Sequence, residues 1–143
     1  MSNSIPVSPY DTCHGLVYFP RMIDKIRKHA DGQLGPDYVP NLGKGFDVRC
    51  CSLLGVDYAA LATAVGTSLS DDQAWEWALK NGNILTEEQI EVWNGFMTRR
   101  GWKDDIVEIL ERRKKESGFE KRDEIQTMFD YIDADEGRPI RAA

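Results

Sequence analysis

Apolar side chains recur along the chain at the spacing of amphipathic helices, with helix-starting and helix-ending residues between the apolar runs. In the first such run, four residues follow the i, i+4, i+7, i+11 spacing that marks one buried helical face: Phe19, Ile23, Ile26 and Ala30. Pro20 suits the first turn of this helix, because its missing N–H would have no partner there, and Gly32 follows the end. The pattern predicts an amphipathic helix between these two residues.

Six further helices are predicted from the same signals, near residues 46–54, 58–65, 70–81, 86–100, 104–117 and from about 123 onward. Two of them open with capping boxes, Ser70 with Gln73 and Thr86 with Gln89. In a capping box a hydroxyl and an amide satisfy two backbone N–H groups reciprocally. No alternating strand pattern is convincing.

A chain of 143 residues fits one domain, and its 41% hydrophobic content is that of an ordinary globule rather than of a disordered or rod-like protein. We therefore expect an all-α fold, a compact single-domain bundle of about six to seven short helices spanning residues 1–143. Residues 1–18 are expected to form an irregular, extended entry segment, and residues 136–143 a flexible tail.

The net charge of −6 is unevenly distributed along the chain. Residues 1–70 carry equal numbers of basic and acidic side chains, so the whole excess of acid lies in residues 71–143. An acidic chain without a basic face disfavours nucleic-acid binding, which depends on releasing counterions from phosphates. Most prolines and glycines lie in the neutral half, which is where functional loops are expected.

The chain carries no sequence signal for a membrane or for secretion. No stretch approaches the roughly 20 apolar residues of a membrane span, and residues 1–6 lack the basic and apolar regions of a signal peptide. The three cysteines are odd in number, and Cys50 and Cys51 are adjacent, which disfavours disulfides and fits a reduced cytoplasm. With no Cys-x-x-Cys pair and two histidines, we expect neither a metal site nor a cofactor.

Several long segments resemble a bacterial family catalogued as domain of unknown function 5069. The segments that carry the resemblance lie at residues 15–25, 41–50, 54–58, 93–94, 100–104 and 128–138. Together they cover about residues 8–138, and their motifs are long and idiosyncratic. The resemblance implies a bacterial origin and motif positions, but it implies no catalytic roles, because the family has no established activity.

The segment from Asn41 to Arg49 carries the most informative polar pattern. Gly43 and Gly45 flank Lys44 immediately before a predicted helix. Backbone N–H groups at a helix start, beside a lysine, form an anion site, and two glycines allow a ligand close to the backbone. The favoured interpretation is instead a loop that needs positive φ twice, with Asp47 capping the helix.

Charged side chains on the first two helices allow either internal pairing or ligand contact. Arg49 lies at the edge of an apolar stripe, where a half-buried guanidinium would hold Asp47, Asp57 or a substrate carboxylate, with internal pairing favoured. Arg21 and Lys25 lie opposite the apolar stripe of the first helix. A solvated face is the default, and the alternative turns both side chains toward a pocket roofed by the glycine loop.

Further candidates lie in both halves of the chain. Asn94 falls on the inward face of its helix, where its amide needs partners. We favour a bond to the backbone of a neighbouring loop, and the alternative is that Trp93 and Asn94 line a cleft, with Trp102 as a further contact. His14 follows Cys13 in the proline-rich entry segment, and adjacency alone does not make a nucleophile–base pair.

Two functions from different classes are left open. The first is a cytoplasmic domain that binds a small polar, anionic metabolite and acts as a metal-independent acid–base enzyme. Its ligand contacts would be Arg21, Asn41, Gly43, Gly45, Arg49, Trp93, Asn94 and Trp102. Its acid–base group would be one of four residues, Lys25, Lys44, Asp47 or His14. The second function is a non-catalytic protein-interaction or regulatory module. Neither involves nucleic acid or a membrane, and both are compatible with a homo-oligomer.

Overall fold

The first helix, α1 (Phe19–Ala30), forms as its apolar spacing predicts, with Pro20 in its first turn. Phe19, Ile23 and Ile26 are buried, whereas Ala30 is exposed. The computed structural model describes residues 4–141, and these contain seven α-helices, one 3₁₀ helix and one two-stranded hairpin. The predicted all-α bundle with an irregular N-terminal segment is therefore confirmed.

The chain divides into two compact units, Met1–Ile90 and Glu91–Ala143, and each is described by itself. The first unit contains, in chain order, β1 (Thr12–Cys13), β2 (Leu16–Val17), α1, a 3₁₀ helix (Pro36–Asn41), α2 (Phe46–Leu54), α3 (Tyr58–Val65) and α4 (Asp71–Asn81). The boundary between the units falls inside α5 (Glu87–Arg99). The second unit continues with α6 (Val107–Glu116) and α7 (Met128–Asp135).

Most helix ends follow from the caps that the sequence shows. Both predicted capping boxes form, since Ser70 and Gln73, like Thr86 and Gln89, exchange side-chain hydrogen bonds with each other's backbone N–H. The prediction for the last helix was wrong by about five residues. This helix begins at Met128, because the Thr127 hydroxyl accepts from the N–H of Asp130.

The short antiparallel hairpin of β1 and β2 was not predicted. Thr12 pairs with Val17 and Cys13 with Leu16, and two residues per strand are too few to show an alternating pattern. The two turn residues have positive φ, 50° at His14 and 82° at Gly15. This backbone is that of a type I′ turn, whose twist matches a hairpin and which usually carries Asn-Gly.

The core of the first unit lies where α1 packs against β1, α3 and α4. Fully buried apolar residues come from β2, α1, α2, α3 and α4: Leu16, Phe19, Met22, Ile23, Leu54, Leu61, Val65, Ala74 and Ala78. Burial is worth about 1.5–3 kcal/mol for each of these side chains larger than alanine. This rigid packing positions the polar groups described below.

In the second unit α6 packs against α7. Leu110, Ile125 and Phe129 are buried there, and the buried Lys114 donates from Nζ to the carbonyl of Ile125 at 2.9 Å. The single domain predicted over residues 1–143 stays a prediction. The flexible tail predicted at 136–143 also stays one, because residues 142–143 lie outside the described residues.

No single helix among residues 4–141 is long and apolar enough to cross a membrane. The neighbouring helices α2 and α3 meet the length and composition criteria only as a pair, and they are bent by 90° at their junction.

Two glycines in helical surroundings should respond oppositely to a methyl group. A Cβ at Gly82 would lie 2.1 Å from the carbonyl oxygen of Leu54 and 2.7 Å from a methyl of Val56, whereas a Cβ at Gly95 would meet only the guanidinium of Arg99 at 3.6 Å. We expect Gly82→Ala to destabilise the protein by at least about 1–3 kcal/mol. Gly95→Ala should stabilise it by about 0.5–1 kcal/mol through helix propensity. Urea unfolding measures both, and a stabilising Gly82→Ala would contradict the packing at α4's end.

Candidate functional site

A charged cluster is sealed inside the first unit, where α1 faces α2. The side chain of Asp47 is fully buried and that of Lys25 is 8% exposed, and Nζ of Lys25 lies 2.7 Å from Oδ1 of Asp47. The hydroxyl of Tyr18 donates to the same oxygen at 2.6 Å and accepts from Nζ of Lys25 at 2.9 Å. The three groups form a closed triangle of charge-assisted hydrogen bonds.

The glycine loop completes this cluster from the other side. The N–H of Gly43 donates to Oδ2 of Asp47 at 3.0 Å, so both carboxylate oxygens have partners. Gly43 has a φ of 74°, and a Cβ there would lie 2.9 Å from the ring of Tyr58. The position therefore requires glycine on both counts. The favoured loop interpretation is confirmed in its positive φ angles, but Asp47 binds the loop's N–H rather than capping the helix.

Burial and the Asp47 carboxylate together shift the titration of neighbouring groups. Burial is the largest cause that raises the pKa of Tyr18 well above its ordinary value, and the charge and hydrogen bond of Asp47 add to it. Burial likewise raises the pKa of the Cys50 thiol, followed by the effects of Cys51 and Asp47. Tyr18 and Cys50 are therefore both held in their protonated forms.

The default of a solvated face for Arg21 and Lys25 was wrong. Both side chains are buried, Arg21 against the segment before the hairpin and Lys25 against Asp47 of α2. Arg21 donates to the carbonyl of Val7 at 3.1 Å and lies over the ring of Tyr38, while the N–H of Val7 donates to Asp24. The face that the sequence assigned to water is thus covered by the chain itself.

The remaining residues of the expected loop site lie at the surface rather than in the buried cluster. Asn41, Lys44 and Gly45 are exposed. Arg49 is exposed as well, so its expected half-buried position was wrong. The face of α2 that turns inward carries Asp47 and two cysteines instead.

The candidates in the second unit are treated apart from those in the first. Trp93 is buried, Asn94 is half-buried, and Trp102 is exposed with the ammonium of Lys103 over its ring. The backbone carbonyl of Asn94 accepts from the hydroxyl of Thr98 at 2.7 Å. Their expected role in binding stays a prediction.

An open groove of about 670 Å³ lies elsewhere on the first unit, between the hairpin and the start of α4. The residues that line it are mostly polar: Thr12, Cys13, His14, Arg27, Ser68, Leu69, Ser70, Asp71 and Asp72. Arg27 holds one end through bonds to the carboxylate of Asp71 at 2.9 Å and to the carbonyl of Leu69 at 3.1 Å. Of the expected site residues, only His14 lines this groove.

His14 is fixed in the groove by two contacts. Its ring stacks on that of Trp75 with centroids 5.2 Å apart, and its Nε2 lies 3.1 Å from Oδ1 of Asp72. The same carboxylate oxygen lies 3.9 Å from Sγ of Cys13. Burial, followed by the charges of Asp71 and Asp72, raises the pKa of the Cys13 thiol to about 12. Sequence reasoning missed Asp72, because it lies far from His14 along the chain.

Comparison with known families adds one finding to this geometry. Residues 3–138 match the family model described as Domain of unknown function (DUF5069). The chain belongs to this family. No curated protein matches the chain closely enough to count as a relative. The DUF5069 model covers both the sealed cluster and the open groove, so membership by itself favours neither as a functional centre.

Breaking the buried pair in this DUF5069 protein should be costly and non-additive. We expect Lys25→Met and Asp47→Leu each to lower the free energy of unfolding by about 3–5 kcal/mol, because each leaves one buried charge unpaired. The double variant should be less destabilised than the sum of both, since neither charge is left. Urea denaturation of all four proteins measures the coupling free energy.

Arg49→Met serves as the matched control on α2. Its side chain is exposed, so we expect a change under about 1 kcal/mol. Additive effects of Lys25→Met and Asp47→Leu would show that the two side chains do not interact as the geometry indicates.

Stability should also fall at alkaline pH. The unfolded chain releases the protons of Cys50 and Tyr18 near their ordinary pKa values, about 8.5 and about 10, whereas the folded chain retains them. The unfolded state is therefore favoured as pH rises, and each group lowers the free energy of unfolding by about 1.4 kcal/mol per pH unit above its ordinary pKa.

Urea unfolding under reducing conditions, from about pH 7 to about pH 10.5, measures this slope. Tyr18→Phe should remove about one proton's share of the slope above about pH 10. A free energy of unfolding that stays constant across the range would contradict the protonated, buried state of both groups.

Proposed function

We propose that this protein binds a small polar metabolite in the groove between the hairpin and α4. The observation that carries the proposal is the groove itself, whose volume of about 670 Å³ is within the usual range of ligand sites. Its hydroxyl, carboxylate, imidazole and guanidinium groups offer both donors and acceptors. A ligand with several polar groups would satisfy them better than an apolar one.

The charge of the groove refines the expected ligand. Its guanidinium, Arg27, is already paired with Asp71, and Asp72 adds a second carboxylate. An anion would therefore meet a net negative surface, and the groove's own residues favour a ligand that supplies hydrogen-bond donors. The sequence predicted an anionic ligand from Lys44 and Arg49. Such a ligand would bind in this groove only with a further positive group to offset the two carboxylates.

His14 is the expected acid–base residue that lines this groove. Lys25 and Asp47 bind each other inside the fold, so a ligand reaches neither without unfolding. The side chain of His14 is 51% exposed and is oriented by Asp72, which is the arrangement of a general base with its positioning carboxylate. We propose a bacterial, cytoplasmic setting, where the three cysteines would stay reduced.

The second candidate, a protein-interaction module, has one observation in its favour. Val92 and Phe96 are exposed one turn apart on α5, at 66% and 42%. Exposed apolar side chains on one helix face are typical of interaction surfaces. In the experiment below, no response to any class of metabolite would favour this second candidate.

A thermal-shift screen of metal-free protein against polar metabolites tests the proposal. A true ligand should stabilise the fold by about 2.7 kcal/mol at 100 times its dissociation constant. Ser68→Trp, which fills the groove, should abolish the shift, and Thr67→Trp, at an exposed neighbour outside it, should not. NMR perturbations confined to Asn41–Arg49, or no ligand in any class, would overturn the groove as the binding site.

A further inference from the structure

Three metal-ligating side chains meet at one side of the groove. Among residues 4–141, Cys13, His14 and Asp72 are the one group of three or more cysteine, histidine or acidic residues whose ligand atoms all lie within 4.8 Å of one another. Two of these residues are neighbours at the hairpin turn, and the third comes from the first turn of α4. We propose that they bind one zinc-type divalent cation.

The distances from the Asp72 oxygen to the other two ligand atoms fit tetrahedral coordination. Bonds of about 2.0–2.1 Å to nitrogen and oxygen and about 2.3 Å to sulfur place a nitrogen and an oxygen ligand about 3.3 Å apart, and a sulfur and an oxygen about 3.5 Å apart. Here His14 Nε2 is 3.1 Å and Cys13 Sγ is 3.9 Å from Oδ1 of Asp72. Both differ from the ideal separations by only a few tenths of an ångström.

The donor set also selects the kind of cation. A thiolate and an imidazole favour zinc over magnesium or calcium, which prefer oxygen ligands alone. On binding, the thiol proton of Cys13 leaves to solvent. The resulting thiolate and the Asp72 carboxylate then balance the two positive charges, while His14 binds as neutral imidazole.

The surroundings already hold the ligands in place. The ring of His14 is stacked on Trp75, and Cys13 is buried in the paired strand β1. The neighbouring carboxylate in the first turn of α4, that of Asp71, forms an ion pair with Arg27. Asp72, whose side chain is 80% exposed, faces the imidazole and the thiol.

With three protein ligands, the fourth position of the cation would face the groove. Zinc sites with three protein ligands keep that position for water or substrate and act as Lewis acids. The inference rests on the proposed function for the groove's role as a ligand site, and it deepens that function: in the cation-bound protein His14 and Asp72 are metal ligands, and the cation rather than His14 is the reactive group. Binding of the cation with loss of the thiol proton makes the groove less negative, and its open position offers a Lewis-acidic partner to an anionic or oxygen-bearing metabolite.

Cobalt titration of the tag-free, reduced protein tests the site directly. We expect one Co²⁺ per chain, with the visible absorption of a tetrahedral centre and a thiolate-to-cobalt charge-transfer band. Zn²⁺ should displace the cobalt, because it binds such sites more tightly. Absence of either spectral feature would overturn the proposal.

Two variants make the test specific. His14→Asn should lower zinc affinity at least about tenfold while keeping the fold, because Asn-Gly is the preferred sequence of a type I′ turn. Asp71→Asn removes a carboxylate charge next to the ligand Asp72 without removing a ligand, so affinity should stay within about fivefold of the parent. Equal zinc affinity in His14→Asn and the parent would exclude this site.

Failure of the cation site and failure of the proposed function give different results. Cobalt binding with the expected spectrum, but with no metabolite response in the presence or absence of zinc, would support the cation site and contradict metabolite binding. If a metabolite stabilises the metal-free protein, Ser68→Trp abolishes this effect and no cobalt spectrum is seen, the groove is supported as a ligand site and the cation site is contradicted.

Discussion

The buried ion pair between Lys25 and Asp47 is the constraint on which the architecture of the first unit depends. Removing two charges from water costs several kcal/mol per ion, and only complete pairing offsets this cost. Tyr18 and Gly43 supply the missing partners, and both do so from left-handed backbone. One arrangement of α1, α2 and the glycine loop satisfies all these groups together. We infer that the pair specifies this packing more than it adds to stability.

Local signals predicted the fold well, because helix formation depends on nearby residues. Apolar spacing located all seven helices, and the two capping boxes placed the starts of α4 and α5. The predicted start of α7 was wrong, because Asp123 and Thr127 are both acceptable N-cap residues and sequence alone does not distinguish them. The hairpin was not predicted, because two residues per strand are too few to show an alternating pattern. In addition, a histidine rarely adopts the positive φ that His14 has in the turn.

The candidate site was predicted only in part, because its contacts join distant segments. The loop around Gly43 was identified as conformationally special, and that is correct. Its partner Lys25 was assigned to a solvated face, because nothing in a helical pattern shows that another segment covers its polar side. The groove was missed for the same reason. Asp72 lies 58 residues from His14, and no local spacing connects a hairpin turn to a helix start.

The two polar clusters differ in what chemistry they can perform. Lys25 and Asp47 bind each other and are sealed from water, so their charges organise the fold but reach no ligand. The long motif at Asn41–Cys50, which marks the family in the sequence, contains this sealed carboxylate and its glycine loop. A motif can therefore identify a family through the requirements of folding alone. The groups that solvent can reach, around His14 and Asp72, come from a turn and a helix start instead. Function in this protein is accordingly to be sought at the groove rather than at its most recognisable sequence.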